Sequence, residues 1–131
     1  MAMTATPVYT QTPKNASVLL TGTANTNIDG TTGTYTTILT AGANGSKIER
    51  IRIISSGTVA EKVRLFIGGI LFGEYLFAAV TPSNTVTALM TDIDCTLPGN
   101  AILMTAGAVM IANVNTGTSA AIRVQVFYGD Y

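Results

Sequence analysis

The sequence contains no histidine and no tryptophan, and only one cysteine, Cys95, in 131 residues. Without histidine there are no His-based triads, no imidazole proton shuttles and few ways to assemble a zinc site. Without tryptophan the best stacking platform for sugars is missing, and only 7% of residues are aromatic. A lone cysteine forms no internal disulfide. With Ile93 and Leu97 beside it in a strand pattern, Cys95 reads as a small core residue, since no histidine base is present to activate its thiol.

Charge is scarce as well. Only 11% of residues are charged, against a typical share of about 25%. Part of the surface is therefore expected to be covered by partners or carried by uncharged polar residues, here largely threonine. Seven basic and seven acidic residues cancel, so no nucleic-acid footprint and no attraction to acidic membranes is expected. Near-neutrality also resists self-association poorly, which suits a protein that lives in an assembly.

The N-terminus lacks the basic segment and apolar stretch of a secretory signal, which makes synthesis in a cytoplasm the expectation. The longest apolar stretch, Ile67–Val80, is interrupted by Glu74 and falls short of the roughly 18 residues of a membrane span. Asn15-Ala16-Ser17 and Asn44-Gly45-Ser46 match the glycosylation sequon, a match without consequence in a protein that is not secreted. The length suits one domain, which buries roughly two thirds of the surface its unfolded chain exposes.

Residues 1–16 contain Pro7 and Pro13 and show no hydrophobic period. They read as an extended N-terminal arm, either frayed or ordered across a neighbour. Residues 17–131 read as one all-β domain, an antiparallel β-sandwich, because short β-branched and aromatic runs recur between clusters of Gly, Asn, Thr and Pro. The expected strands are Val18–Gly22, Tyr35–Thr40, Lys47–Ser55, Lys62–Gly68, Ile70–Ala79, Thr85–Met90, Ile93–Leu97, Ala101–Thr105, Val109–Asn113 and Ala121–Tyr128.

Strict alternation puts Val63, Leu65 and Ile67 on one face against Lys62, Arg64 and Phe66, and Ile122, Val124 and Val126 against Arg123, Gln125 and Phe127. The first set of each is expected in the core. Ile51 and Ile53 alternate with Arg50 and Arg52, but Ile48 has the wrong parity, which predicts a bulge or the start of the strand near Glu49. The run Ile70–Phe77 is apolar on both faces. It therefore needs cover on both, from the core and from a second chain, a bulge or a folded-over loop. Asn44-Gly45 and Pro98-Gly99-Asn100 read as turns, with polar loops over Asn25–Gly33 and Asn113–Ser119.

Candidate chemistry is thin. Gly42–Lys47 (GANGSK) lacks the spacing of a phosphate loop and precedes a strand pattern, and Gly68-Gly69 has no helix to follow it. Asp92 and Asp94 project to one side of a strand, where with Asp29, Asp130 or loop carbonyls they form at best a calcium site; solvated edge carboxylates are the commoner outcome. No second carboxylate is placed across a cleft as a glycosidase requires. Arg50 and Arg52, with Lys62 and Arg64, gather four cations if their strands form a hairpin, diluted by Glu49 and Glu61. They read as a solvated face or as a docking surface for an acidic partner. No catalytic residue, metal ligand or cofactor site is expected.

The segment Thr40-Ala41-Gly42-Ala43-Asn44-Gly45-Ser46-Lys47-Ile48-Glu49-Arg50-Ile51, with Thr12-Pro13-Lys14-Asn15 upstream, resembles small virion structural proteins of tailed bacteriophages. The likeness is close over the first half and extends to the rest in pattern. It implies a capsid decoration (cement) protein with a jelly-roll-like sandwich, commonly a homotrimer, seated on the virion's capsid surface against the major capsid protein. It carries over no catalytic residue. A tail or head-fibre component and a jelly-roll carbohydrate-binding module are the alternatives.

Overall fold

Runs of Val, Ile, Leu and Tyr separated by positive-φ turns leave little room for anything but strands. A computed structural model of the chain describes residues 12–20, 23–97, 99–116 and 121–131. Among these residues there are nine strands and no helix: β1 (Thr12–Leu20), β2 (Thr36–Thr40), β3 (Ser46–Ser55), β4 (Glu61–Ile67), β5 (Ile70–Phe77), β6 (Leu89–Asp94), β7 (Ile102–Met104), β8 (Val109–Val114) and β9 (Ile122–Asp130). They form two antiparallel sheets, the expected all-β sandwich. The first runs β1-β9-β3-β6, with β7 also on β3, and the second runs β2-β8-β4-β5.

The core lies where the alternation places it. Val63, Leu65, Ile122, Val124 and Val126 are all buried, with Ile51 and Ile53 opposite, while Ile67 is partly buried at the end of its strand. Ile48 joins them because β3 carries one extra residue against β9, with the register shifting between Ile48 and Arg50. That bulge at Glu49 restores the inward parity of Ile48.

The β4–β5 hairpin closes with Gly68 and Gly69, both at positive φ (60° and 80°). Such a two-residue turn follows the right-handed twist of the strands.

Several expected boundaries move. Thr12–Ala16, read as the end of the arm, are paired with Val126–Asp130 as the first half of β1. Pro13 is tolerated because β1 is an edge strand, and Lys14 reaches Asp130 at 2.6 Å. The two expected strands Thr85–Met90 and Ile93–Leu97 are replaced by β6, centred between them. Ser83 captures the amide of Thr85, where the first expected strand would begin, and Asp94 captures that of Thr96, just past the end of β6, so side chains claim backbone donors that longer strands would need. Residues 1–11 of the expected arm, the end of the Val18–Gly22 strand, Pro98 of its turn and the last part of the Asn113–Ser119 loop lie outside the described residues.

Phe66 faces away from the core yet is fully buried. Residues 23–35 fold over the outer face of the second sheet and cover it. Tyr35 meets Phe66 edge-on at 5.2 Å, and the Asn113 side chain donates to Asn27 O. Burying Phe66 contributes roughly 1.5–3 kcal/mol, and the edge-on pair adds about 0.5–1.5 kcal/mol.

Asn25 organises this cover. Its backbone N–H donates to Val114 O, its Nδ2 to Thr32 O and Thr34 O, and its Oδ1 accepts from Asn27. Gly33 (φ 93°) has no space for a side chain, since a Cβ there would stand 2.6–2.8 Å from the Asn25 carboxamide.

This contact is testable. Gly33→Ala incurs the left-handed strain of about 1–2 kcal/mol and also displaces Asn25, losing hydrogen bonds of about 1 kcal/mol each. Gly107→Ala, at φ 72° with nothing within 4 Å, incurs the strain alone. Urea unfolding is expected to show a clearly larger fall in midpoint for Gly33→Ala, with equal slopes.

Candidate interaction surface

The sequence-derived candidates for chemistry stay apart. Cys95 is buried, burial holds its thiol above the ordinary range, and its Sγ lies 3.8 Å from Ile93 O. Asp92 is engaged by Arg52 at 3.0 Å and Arg50 at 3.7 Å, and Asp94 by Thr96. Asp29 sits in the covering loop of the other sheet, bound by the amides of Thr31 and Thr32 and by the Tyr35 hydroxyl. Asp130 accepts from Lys14 and Ser46, which hold its carboxyl below the ordinary value. Among the described residues no group of three acidic, His or Cys side chains converges on a point.

Residues 42–47 form a turn closed by Gly45 N–H on Gly42 O. The Gly42 amide donates to Ser46 Oγ, which itself donates to Asp130. A carboxylate already occupies the position an anion would need.

The four cations do not gather. β3 and β4 lie in different sheets, because the connection after Ser55 crosses the sandwich instead of turning back as a hairpin. Arg50 and Arg52 pair with Asp92 on the outside of the first sheet. Arg64, only 8% exposed, pairs with Glu74 at 2.6 Å on the second, with Lys62 at 3.9 Å from the same carboxylate. The Arg64 hydrogen bond lowers the pKa of Glu74.

What remains open mixes apolar and polar side chains. Among the described residues no loop crosses the outer face of the first sheet as one does on the second. Cross-strand register puts Leu19, Arg123, Ile54 and Met90 in one row there and Asn15, Phe127, Arg50 and Asp94 in another. On β5, Ile70 and Leu76 are 74% and 73% exposed, more than any other large apolar side chain among the described residues. The covering loop therefore accounts for Phe66 but leaves part of the Ile70–Phe77 run uncovered.

Phe127 separates two shallow clefts, of about 340 Å³ and 310 Å³. Glu49, thrust out by the bulge, lines both.

Sequence reading missed Glu61. It shares the parity of Val63 and Leu65, so it faces inward; it is 1% exposed, and neither carboxylate oxygen has a hydrogen-bond partner. The i, i+2 pattern contained this signal, which the charge of the residue obscured. Desolvation raises its pKa above the ordinary 4.5.

No protein-family model matches the chain, and no curated protein matches it.

The Glu61 geometry fixes a pH dependence. Below pH 4.5 the carboxyl is protonated in both folded and unfolded chains. As pH rises above that value the unfolded chain ionises first, so stability is lost up to the folded pKa and then levels off. Glu61→Gln is expected to raise the melting temperature at pH 7 and to leave it nearly unchanged at pH 4, measured by thermal unfolding at both pH values.

Proposed function

We propose that this chain is a structural virion protein that decorates a phage capsid, binding the lattice of major capsid protein and stabilising the head without acting as an enzyme. The observation that carries the reading is the open β5 edge, where Ile70 and Leu76 stand in solvent at the rim of the second sheet. Exposed apolar side chains on an open edge are a liability unless another chain covers them. The resemblance of Thr40–Ile51 to small phage virion proteins points to the same setting.

A jelly-roll topology is supported by the strand order. β6 and β7 occupy successive halves of one edge of β3. Counted as one interrupted strand, they leave eight strands in two four-stranded sheets, the count of two interlocked Greek keys.

The proposed assembly uses the same surfaces. β5 edges meet around a homotrimer axis, and the capsid contact includes the segment N-terminal to the edge strand β1. Weak contacts repeated over a trimer and over a lattice give strong avidity, so no single dominant contact residue is required. Synthesis takes place in the host cytoplasm and the final location is the capsid surface.

Two outcomes are expected. Sedimentation should show a trimer for the native chain and a monomer for Leu76→Glu, whose circular dichroism stays native because the side chain is exposed. Added to undecorated capsids, the native chain should bind and raise their disruption temperature, whereas a chain lacking residues 1–11 should stay folded and bind more weakly. A native chain that neither binds nor stabilises the shells contradicts the proposal, and binding to tails alone assigns the protein to the tail or fibre instead.

A further inference from the structure

The outer face of the first sheet carries a polar site that the capsid reading does not use. Its centre is Phe127, 39% exposed on β9. The register sets Asn15 beside it on β1 and Arg50 beside it on β3. Directly opposed residues on one sheet face have Cβ atoms about 4.5–5.5 Å apart. An aromatic ring is thus flanked on both sides by planar hydrogen-bonding groups.

The bulge adds the fourth member. Glu49 is exposed, lines the clefts on both sides of Phe127, and has no ion-pair partner among the described residues. Bulges re-aim side chains in this way.

The electrostatics narrow the ligand class. Each nearby cation is held by a carboxylate: Lys14 by Asp130 at 2.6 Å, and Arg52 and Arg50 by Asp92 at 3.0 and 3.7 Å. Counting the residues that line the clefts and their ion-pair partners, three cations (Lys14, Arg50, Arg52) stand against three carboxylates (Glu49, Asp92, Asp130), so no net charge selects a ligand of either sign. What the site offers is an apolar ring face, a carboxylate acceptor, a carboxamide with both donors and an acceptor, and guanidinium N–H groups. That combination matches a neutral ligand with one apolar face and a rim of hydroxyls.

We propose that Phe127, with Glu49, Asn15 and Arg50, forms a binding site for a neutral saccharide, whose C–H face lies on the Phe127 ring while its hydroxyls meet the flanking side chains. The clefts on either side of the ring give room for a sugar unit in each direction, so an oligosaccharide fits better than a monosaccharide. The site does not depend on the capsid reading.

The test is an NMR titration of the isotope-labelled native chain with maltotetraose, cellotetraose and tri-N-acetylchitotriose, with oligogalacturonate as the anionic comparison. At least one neutral oligosaccharide is expected to give saturable shifts confined to the amides around Asn15, Glu49 and Phe127. Phe127→Ala should abolish them with the remaining spectrum unchanged, and Phe127→Tyr should retain them. Glu49→Gln should weaken binding about tenfold, as loss of one hydrogen bond to a charged group implies. No saturable shift with any neutral oligosaccharide overturns the proposal. So do undiminished shifts in Phe127→Ala, and binding restricted to oligogalacturonate.

Discussion

The structure of the first sheet depends on the bulge at Glu49. β3 supports β9 along one edge and both β6 and β7 along the other, and it can do so only if its inward residues stay inward through the irregularity. The extra residue lets Ile48, Ile51 and Ile53 all reach the core. It also divides the opposite edge. Glu49 O accepts the Cys95 amide just after β6 ends, and β7 takes over at Ile48. Without the bulge, Ile48 would point to solvent and the divided edge would lose its reason.

Scarce charge has a structural account different from the one composition suggests. Five of the seven basic residues share three carboxylates: Lys14 with Asp130, Arg50 and Arg52 with Asp92, and Lys62 and Arg64 with Glu74. All but the Lys14 pair are cross-strand pairs on outward faces. Of these, the pairs of Arg50, Arg52 and Lys62 are solvent-exposed and contribute about 0–1 kcal/mol each, so their main effect is on register, since a slip by one residue would separate every partner. Most of the few cations are thus engaged by carboxylates.

Much of this was legible where one face is dry and the other wet. The alternation at Val63–Ile67 and Ile122–Phe127 fixed both the strands and their inward sides, and the parity conflict at Ile48 located the bulge. Legibility failed where the deciding partner is remote in sequence. Thr12–Ala16 shows no period because an edge strand needs none, and only β9, more than a hundred residues away, makes it a strand. The expected gathering of four cations assumed that consecutive strands pair, and the crossing after Ser55 removes the premise. Phe66 looked exposed because its cover, residues 23–35, is a polar loop whose own sequence gives no sign of what lies beneath. Of the Phe127 surface, the outward ring was readable, whereas its neighbours Asn15 and Arg50 come from strands whose pairing only the fold reveals.

The position of β9 has a consequence for synthesis. It lies between β1 and β3 in the first sheet, so β1 has no partner in its sheet, and β3 only β6 and β7 on its other edge, until residues 122–130 have been made. Residue 130 pairs with residue 12 at one end of the ladder. The second sheet, complete with β8, can close earlier, but one face of its core remains wet until then. Closing so long a loop is slow, because its entropy must be lost before any contact repays it. The first sheet is therefore the later of the two to close, and the edges of β1 and β3 that face β9 stay unpaired while residues 122–130 are still to be made.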